Sequence, residues 1–286
     1  MFKIGLSTTG KEINSALFEN YIKAGITEVE ISMNMNSLDN YDFADYKGMK
    51  HMSDASGVNL WSFHLPFKPF DEIDISSSDK DMRIRSVKHT GELIKKASDI
   101  GINNYVIHSG GIVQRTSQAE VDERIKCACE SYAALAEVAS NCGGRALVEN
   151  LPPICVGKDI KEVEKLLSAD NRLGICFDTN HLLPATHAEF IQYFGEKIVT
   201  MHVSDYDFVN ERHWLPGEGK VDWQTVYKAL CDINYKGPWL YELPFKSQST
   251  LKRERDLICE DFTKNAHEIF ENKSITVIPG QKIMQE

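Results

Sequence analysis

Short apolar runs alternate with longer amphipathic stretches along almost the entire chain of 286 residues. The runs are brief, often β-branched or aromatic, and apolar at nearly every position, which is typical of strands covered on both faces. They comprise Phe2–Leu6, Glu28–Ile31, Leu60–Phe63, Tyr105–Ile107, Ala146–Val148, Leu173–Phe177, Ile198–Val203 and Trp239–Tyr241. Because nearly every run precedes a stretch of helical periodicity, the pattern predicts a parallel sheet. Eight such units predict a closed (β/α)₈ barrel, the TIM barrel.

Three long amphipathic stretches carry the helical prediction most clearly, namely Lys80–Ile100, Ala119–Cys142 and Thr250–Phe270. An open doubly wound sheet, the alternative, usually carries a glycine-rich phosphate turn after its first strand, and the segment STTGKE does not match that motif. No linker rich in proline, glycine or serine divides the sequence, so we predict a single domain over residues 1–286, with the barrel over about 2–270. The tail over about 272–286 lies outside the eighth unit, and we expect it either to fray or to pack on a neighbouring subunit.

Charge and cysteine content narrow the classes of partner and the cellular compartment. A net charge of −10 disfavours nucleic acid and anionic membranes, because binding phosphate groups needs a concentrated positive field. The seven cysteines include no C-x-x-C pair, so a disulfide framework is not expected and a reducing compartment is favoured. The N-terminal segment MFKIGLSTTG reads as a strand and a turn, and no apolar run approaches the roughly 20 residues that span a bilayer. We therefore predict a cytoplasmic protein with no membrane partner.

Acids and histidines concentrate at the carboxyl ends of the predicted strands. In a (β/α)₈ barrel these ends meet on one face, so residues far apart in the sequence come together there. From the first strand to the eighth, the terminal residues are Ser7, Glu30, His64, His108, Glu149, Asp178, His202 and Glu242. Carboxylates and imidazoles in one apolar-walled cavity repel or desolvate one another, and a divalent cation is the simplest compensation. The pattern therefore predicts a metal centre, in which Glu30 is left without a role because it could also be a rim residue.

The most specific set of candidate ligands is Glu149, Asp178, His202 and Glu242, at the ends of strands five to eight. Three carboxylates and one imidazole suit a hard or borderline divalent ion, so we predict a site for Mn²⁺, Mg²⁺, Co²⁺ or Zn²⁺. His181, three residues after Asp178, is expected to contact substrate or to bind another ion. Each residue also has a structural interpretation, with Glu149 in a buried ion pair, Asp178 as a turn cap and the histidines as core residues bonded to carbonyl groups.

Seven segments of the sequence resemble segments of the xylose-isomerase-like TIM-barrel superfamily, in the same order and on the corresponding strands. They are FHLPF (63–67), VIHSGG (106–111), LVEN (147–150), CFDTNH (176–181), MHVSD (201–205), ERHWLPGEG (211–219) and LYEL (240–243). The resemblance extends over roughly residues 2–270. Two classes in this superfamily are relevant. One isomerises or epimerises sugars and related polyols with a single divalent ion, and the other cleaves DNA at abasic sites with a three-zinc cluster.

For the sugar-acting class, the resemblance implies that the four residues at the ends of strands five to eight bind the ion. It also implies that His181 and Arg212 contact substrate oxygens. Such an ion polarises a carbonyl and the neighbouring hydroxyl, which acidifies the C–H bond between them and stabilises the enediolate. Glu149 and Glu242, on opposite sides of the barrel mouth, are then the natural pair to remove a proton from one face of the sugar and return one to the other.

The endonuclease class is the main alternative. The resemblance places its further ligands at positions corresponding to His64, His108, His181 and His213, with an acid two residues before the last. Glu211 stands here where the family usually has aspartate, and its longer side chain puts the third ion in doubt. The loops after the first two strands, STTGKEIN and SMNMNSLDNYDF, contain one lysine and no arginine with which to grip a duplex.

The sequence therefore predicts a divalent-metal-dependent isomerase or epimerase that acts on a sugar, a sugar phosphate or a keto-polyol. We assign His64 and His108 to orienting this small-molecule substrate. Nucleic acid is not an expected partner, and a homo-dimer or homo-tetramer is expected because relatives of this kind commonly form such assemblies. A non-catalytic barrel that binds a metal or a sugar is the third possibility, and the presence of every predicted ligand disfavours it.

Overall fold

A computed structural model of the chain describes residues 1–33, 46–181 and 185–283. Within these residues, parallel strands form an 8-stranded sheet in the order β7-β6-β5-β4-β3-β2-β1-β8. They are β1 (Ile4–Thr9), β2 (Ile26–Ser32), β3 (Asn59–His64), β4 (Asn104–Ile107), β5 (Arg145–Glu149), β6 (Gly174–Asp178), β7 (Ile198–His202) and β8 (Trp239–Tyr241). Val203, just after β7, closes the sheet by pairing with Tyr241, and its amide donates to the Leu240 carbonyl at 2.8 Å. The predicted (β/α)₈ barrel is confirmed.

Helices follow the strands and cover the outside of the sheet. They are α1 (Ser15–Ala24), α2 (Tyr46–Ser56), α3 (Lys80–Ser98), α4 (Gln118–Asn141), α5 (Ile160–Leu167), α6 (His187–Phe194), α7 (Trp223–Asp232) and α8 (Cys259–Phe270). Polar side chains fix several of the amino ends. Asp79, Ser117 and Asp159 each accept a hydrogen bond from a backbone N–H in the first turn of the helix that follows, which satisfies a donor with no partner inside the helix. None of the helices in the described ranges is both long and apolar enough to cross a membrane.

The alternation of side chains along each strand decides which residues reach the barrel axis. Leu147 on β5 and Cys176 on β6 pack together with Val106 of β4 in a small cluster, separate from the large core that includes the residues beneath the helices. Every second residue of a strand points to the same face. Glu149 and Asp178, two residues after Leu147 and Cys176, therefore point to the barrel axis at the carboxyl ends of their strands.

The segment predicted as a helix over Thr250–Phe270 differs in the structure. Only its second half is helical, as α8, and its first half contains a short strand, β9 (Leu251–Arg253). Buried Arg253 explains the difference, because its Nε donates to Glu218 Oε1 at 2.7 Å and its Nη2 to Glu218 Oε2 at 2.8 Å. The predicted helices over 80–100 and 119–142 are confirmed as α3 and α4, with ends shifted by at most two residues.

The C-terminal tail, as far as residue 283, contacts its own barrel, and its expected packing on a neighbouring subunit stays a prediction. Its strand β10 (Gly280–Lys282) pairs antiparallel with β9, in a register that sets Gly280 opposite Arg253. Ile275 and Ile278 pack against the hydrophobic core. These apolar residues give the tail a surface that it buries against its own chain. The sequence pattern alone did not show which surface they contact.

The Arg253–Glu218 pair provides a test of this local structure. We expect Arg253→Met to lower the free energy of unfolding by about 3 kcal/mol, because it leaves the buried Glu218 carboxylate without a partner. Arg255→Met is the matched control, since Arg255 pairs with Asp261 on the surface, where ion pairs contribute little. Urea unfolding of both variants measures the difference. Equal stability of the two variants would contradict the structural role of Arg253.

Candidate metal centre

The four predicted metal ligands meet at the carboxyl end of the barrel. Glu149, Asp178, His202 and Glu242 each offer a ligand atom, and the four atoms all lie within 4.8 Å of one another. Nδ1 of His202 lies 3.0 Å from Glu149 Oε1, 3.4 Å from Glu242 Oε2 and 3.6 Å from Asp178 Oδ2. The first three side chains are fully buried, whereas that of Glu242 is 24% exposed and faces the barrel mouth. The structure therefore brings the predicted set to a single point.

This donor set fits a divalent cation. Asp178 Oδ1 accepts hydrogen bonds from the backbone N–H groups of Asn180 at 2.6 Å and His181 at 3.1 Å, which fix the carboxylate. Its other oxygen, Oδ2, is buried and accepts no hydrogen bond from any residue in the described ranges. A buried carboxylate oxygen without a donor is costly, and a cation is the compensation that three carboxylates and an imidazole suit. Divalent binding is thus consistent with both the ligand types and their arrangement.

Protonated imidazoles balance the carboxylates in the ion-free protein. Burial favours the neutral form of every group in the cluster, and this raises the pKa of Glu242 above its usual value. Burial opposes the charge of Glu149 as well, but hydrogen bonds from His108 and His202, together with the positive charge of His202, hold the pKa of Glu149 well below the usual range. Burial lowers the pKa of His202, yet the buried Cys176 and the surrounding carboxylates raise it well above the usual value. His202 therefore carries a proton that a metal ion must displace.

His64 and His108 lie on the other side of Glu149. Their Nε2 atoms are 3.3 and 3.0 Å from Glu149 Oε2, so the three residues form a second group of possible ligands. The His108 ring stacks on Phe67, with centroids 3.8 Å apart. Burial lowers the pKa of His108 to about 4. Burial opposes the positive charge of His64 as well, but contact with Glu149 raises its pKa to about 9. The two predicted orienting residues thus differ in charge although they contact the same oxygen.

His181, Glu211 and His213 form a third group at the mouth of the barrel. Glu211 Oε2 lies 3.6 Å from His181 Nε2 and 3.9 Å from His213 Nε2, and the group meets the spacing expected of metal ligands. His181 Nδ1 lies 3.0 Å from the Asn150 carbonyl oxygen, which orients the ring. The longer side chain of Glu211 was expected to displace its carboxylate, but the carboxylate remains within reach of both imidazoles. The third group therefore stays a candidate site.

Arg212 lies close to this cluster and is paired inside the protein. Its Nε donates to Asp207 Oδ2 at 2.8 Å, and its backbone N–H donates to Asn180 Oδ1 at 3.0 Å. The guanidinium carbon also lies 5.7 Å from the centre of the Trp214 ring. Arg212 does not line either of the two cavities described below. Its assignment to substrate oxygens stays a prediction.

Two cavities open on either side of Glu242 and His213, which line both. One has a volume of about 360 Å³ and is walled by aromatic and imidazole rings, including Phe67, Phe70 and His108. The other has a volume of about 480 Å³, and several hydroxyl groups contribute to its lining. The residues that carry these hydroxyl groups are Ser7, Thr8, Thr9, Tyr21 and Ser32. The candidate metal centre is therefore accessible from two cavities with different linings.

Glu30 is the residue whose role the sequence left open. The structure buries its carboxylate completely and places it against His202, 3.0 Å from Nε2. Glu28 and Glu30 are both buried on β2 and, being two residues apart, point to the same face. Acids that alternate within a strand of a barrel must find partners in its interior. That alternation was the signal by which Glu30 could have been assigned to the interior.

The family of the chain follows from comparison with known proteins. The sequence profile of the xylose isomerase-like TIM barrel family matches residues 18–260. The chain belongs to this family, as the motifs at the strand ends indicated.

Two curated relatives show how far the similarity extends. An uncharacterized protein of Methanocaldococcus jannaschii is 26% identical over 178 residues, which is 59% of this chain and 60% of that protein. The fructoselysine 3-epimerase of Escherichia coli O157:H7 is 27% identical over 152 residues, or 46% of this chain and 53% of that protein. The chain thus matches between about half and three fifths of the length of these relatives.

Similarity also extends to the nuclease branch and to solved structures. The probable endonuclease 4 of Mycoplasmoides gallisepticum is 21% identical over 227 residues, covering 72% of this chain and 73% of that protein. The crystal structure of a D-tagatose 3-epimerase-like protein superposes with a TM-score of 0.77 at 19% identity, covering 94% of this chain and 97% of that one. At this level of identity, the structural similarity defines the fold.

Competition between protons and metal at His202 gives a prediction. The raised pKa keeps His202 protonated at neutral pH, so we expect Mn²⁺ binding to release about one proton per ion. For the same reason, we expect the affinity for Mn²⁺ to increase about tenfold for each unit by which the pH rises between about 6 and 7. Titration calorimetry in two buffers of different ionisation enthalpy measures the proton release. His51→Asn, at an exposed helical position, should leave it unchanged. An affinity independent of pH would contradict the displacement.

Proposed function

We propose that the chain is a divalent-metal-dependent isomerase or epimerase of a sugar, a sugar phosphate or a keto-polyol. The observation that carries the proposal is the convergence of Glu149 and Glu242 with Asp178 and His202 on one point at the barrel mouth. Two of these carboxylates come from strands on different sides of the barrel, and Glu242 is partly exposed to the space that a substrate would enter. This arrangement suits proton transfer at two faces of a bound carbon.

The residues divide into those that hold the ion and those that move protons. Asp178 and His202 act as ligands only, whereas Glu149 and Glu242 act both as ligands and as the acid–base pair. When bound, the divalent ion polarises a carbonyl and the adjacent hydroxyl, so that the C–H bond between them becomes acidic. One glutamate then removes that proton, and the other delivers a proton to the opposite face of the carbon or to the neighbouring oxygen.

His64, His108 and His181 surround the acid–base pair and are proposed to orient the hydroxyl groups of the substrate. His108 is neutral, because burial lowers its pKa to about 4, and it can accept or donate a hydrogen bond. His181 is charged, because the nearby Asp178 outweighs burial and raises its pKa to about 10, so it acts as a donor. Arg212 is proposed to complete the set. Because its guanidinium is paired with Asp207, it would reach the substrate either after rotating away from this carboxylate or with the carboxylate between them.

The relatives support the class of reaction and leave the substrate open. The names of two relatives, a fructoselysine 3-epimerase and a D-tagatose 3-epimerase-like protein, describe epimerases, and the family profile covers the strands that carry the proposed ligands. The two cavities beside Glu242 offer volumes of about 480 and 360 Å³, which suits a polyhydroxylated small molecule. A cytoplasmic location and a homo-dimer or homo-tetramer complete the proposal.

A three-zinc abasic-site endonuclease is the second candidate, and a specific observation favours it. The groups His64–His108–Glu149 and His181–Glu211–His213 flank the central ligands and could hold two further ions. The net charge of −10 opposes DNA binding. The loop after the second strand, SMNMNSLDNYDF, lacks lysine and arginine, and its residues 34–43 lie outside the described ranges.

Metal content and substrate assays separate the two candidates. We expect the purified chain to bind about one exchangeable divalent ion and to convert at least one member of a panel of ketoses, their phosphates and inososes. Elemental analysis gives the number of ions per chain, and chromatography of the sugars gives the turnover. Two or three tightly held zinc ions, together with cleavage of a duplex that carries one abasic site, would overturn the proposal in favour of the endonuclease.

The acid–base pair gives a direct prediction. Replacing Glu242 by Gln keeps the size of the side chain and removes the group that transfers the proton, so we expect kcat to fall about 10³-fold while the fold is retained. Glu254→Gln, at an exposed glutamate outside the site, is the matched control and should keep full activity. Turnover and incorporation of deuterium from solvent into the sugar are measured on both variants. A fully active Glu242→Gln enzyme would refute the proposed mechanism.

A further inference from the structure

His202 lies between carboxylates at both nitrogens of its ring. Its Nδ1 faces Glu149, Asp178 and Glu242, the other members of the proposed metal site. Its Nε2, on the opposite edge of the ring, faces the Glu30 carboxylate, at 3.0 Å from Oε1 and 3.2 Å from Oε2. A neutral imidazole has one protonated and one unprotonated nitrogen. Whichever nitrogen holds the proton decides whether Nδ1 has a lone pair for a cation.

Glu30 has few other partners for its charge. Ser62 Oγ donates to its Oε2 at 2.8 Å, and its Oε1 contacts only the His202 ring among the interactions of the described residues. No lysine or arginine within the described ranges forms an ion pair with Glu30. A fully buried carboxylate needs a donor or a cation. Besides the Ser62 hydroxyl, the Nε2–H of His202 is the donor that the structure supplies.

We propose that Glu30 is a positioning residue that accepts the Nε2–H of His202 and so presents Nδ1 to the metal ion. This inference rests on the proposed metal site and adds a residue that does not contact the ion. A carboxylate behind a metal-binding histidine fixes the tautomer and the orientation of the ring and makes the ligand nitrogen more basic. Ser62 in turn fixes the carboxylate, which gives a chain Ser62–Glu30–His202 that ends at the ion.

Glu28 offers a matched control within the same strand. It is buried like Glu30, it lies two residues earlier on β2, and its carboxylate pairs with Lys3 and Asn59 instead of His202. Substitution by Gln removes the same charge from the same strand in both cases. Any general effect of neutralising a buried acid in the barrel therefore appears in both variants, and an effect transmitted through His202 appears only in Glu30→Gln.

The test is the affinity for Mn²⁺, measured by electron paramagnetic resonance of the free ion in titrations of the full chain. We expect Glu30→Gln to weaken binding between about 10- and 100-fold and Glu28→Gln to change it less than about twofold. In a His202→Asn background the Glu30 substitution should have no further effect, because the ring through which it acts is gone. Thermal unfolding of the ion-free variants checks that each one folds. Should Glu30→Gln fail to fold, Ser62→Ala takes its place, with a smaller loss of affinity expected.

Each outcome decides the inference. Equal affinities of Glu30→Gln and Glu28→Gln would overturn it and leave the proposed function standing, as long as the unsubstituted chain binds Mn²⁺. The same loss in the His202→Asn background as in the unsubstituted chain would also overturn it, since Glu30 would then act by another route. Failure of the unsubstituted chain to bind Mn²⁺ would overturn the proposed function and the inference together.

Discussion

The burial of Glu149 is the constraint on which the rest of the site depends. Its carboxylate is fully buried at the end of β5 and faces the imidazoles of His64, His108 and His202 at 3.0–3.3 Å. A buried carboxylate without such partners would be strongly destabilising. Because alternate residues of each barrel strand point to the axis, histidines at the ends of β3 and β7 reach the same point. The barrel that buries Glu149 thus also supplies the imidazoles that stabilise its charge.

The barrel was predictable because its signals are local. Strands buried on both faces read as short apolar runs, and the recurrence of such runs before amphipathic helices leaves few architectures. The central ligands were predictable for a related reason, since Glu149, Asp178 and Glu242 each end an apolar run where an unpaired charge is costly. In these cases the sequence neighbours of a residue already define its surroundings in the fold.

Features that depend on contacts between distant segments were not predictable in this way. Arg253 pairs with Glu218 across 35 residues and breaks the helical pattern in which it lies. The partner of Glu30 is 172 residues away, so the sequence shows an acid in a strand and not the histidine that it contacts. The reach of Glu211 toward His181 depends on the path of a loop in which His213 adopts a positive φ of 50°, and no pattern in the sequence specifies that path.

Protons and metal ions are alternative counter-charges in this cluster, and their competition bears on how many ions it holds. Burial opposes the charge of His64 and His181, but Glu149 and Asp178 raise their pKa values to about 9 and about 10. An ion that uses either histidine at neutral pH must displace a proton, at about 1.4 kcal/mol for each pH unit below the pKa. The proposed central ion would meet the same cost at His202 and would gain three carboxylates. An ion at His64 and His108 shares Glu149 with it, and an ion at His181 and His213 gains only Glu211. This difference supports the proposal of a single central ion, which is the number that the proposed sugar chemistry uses.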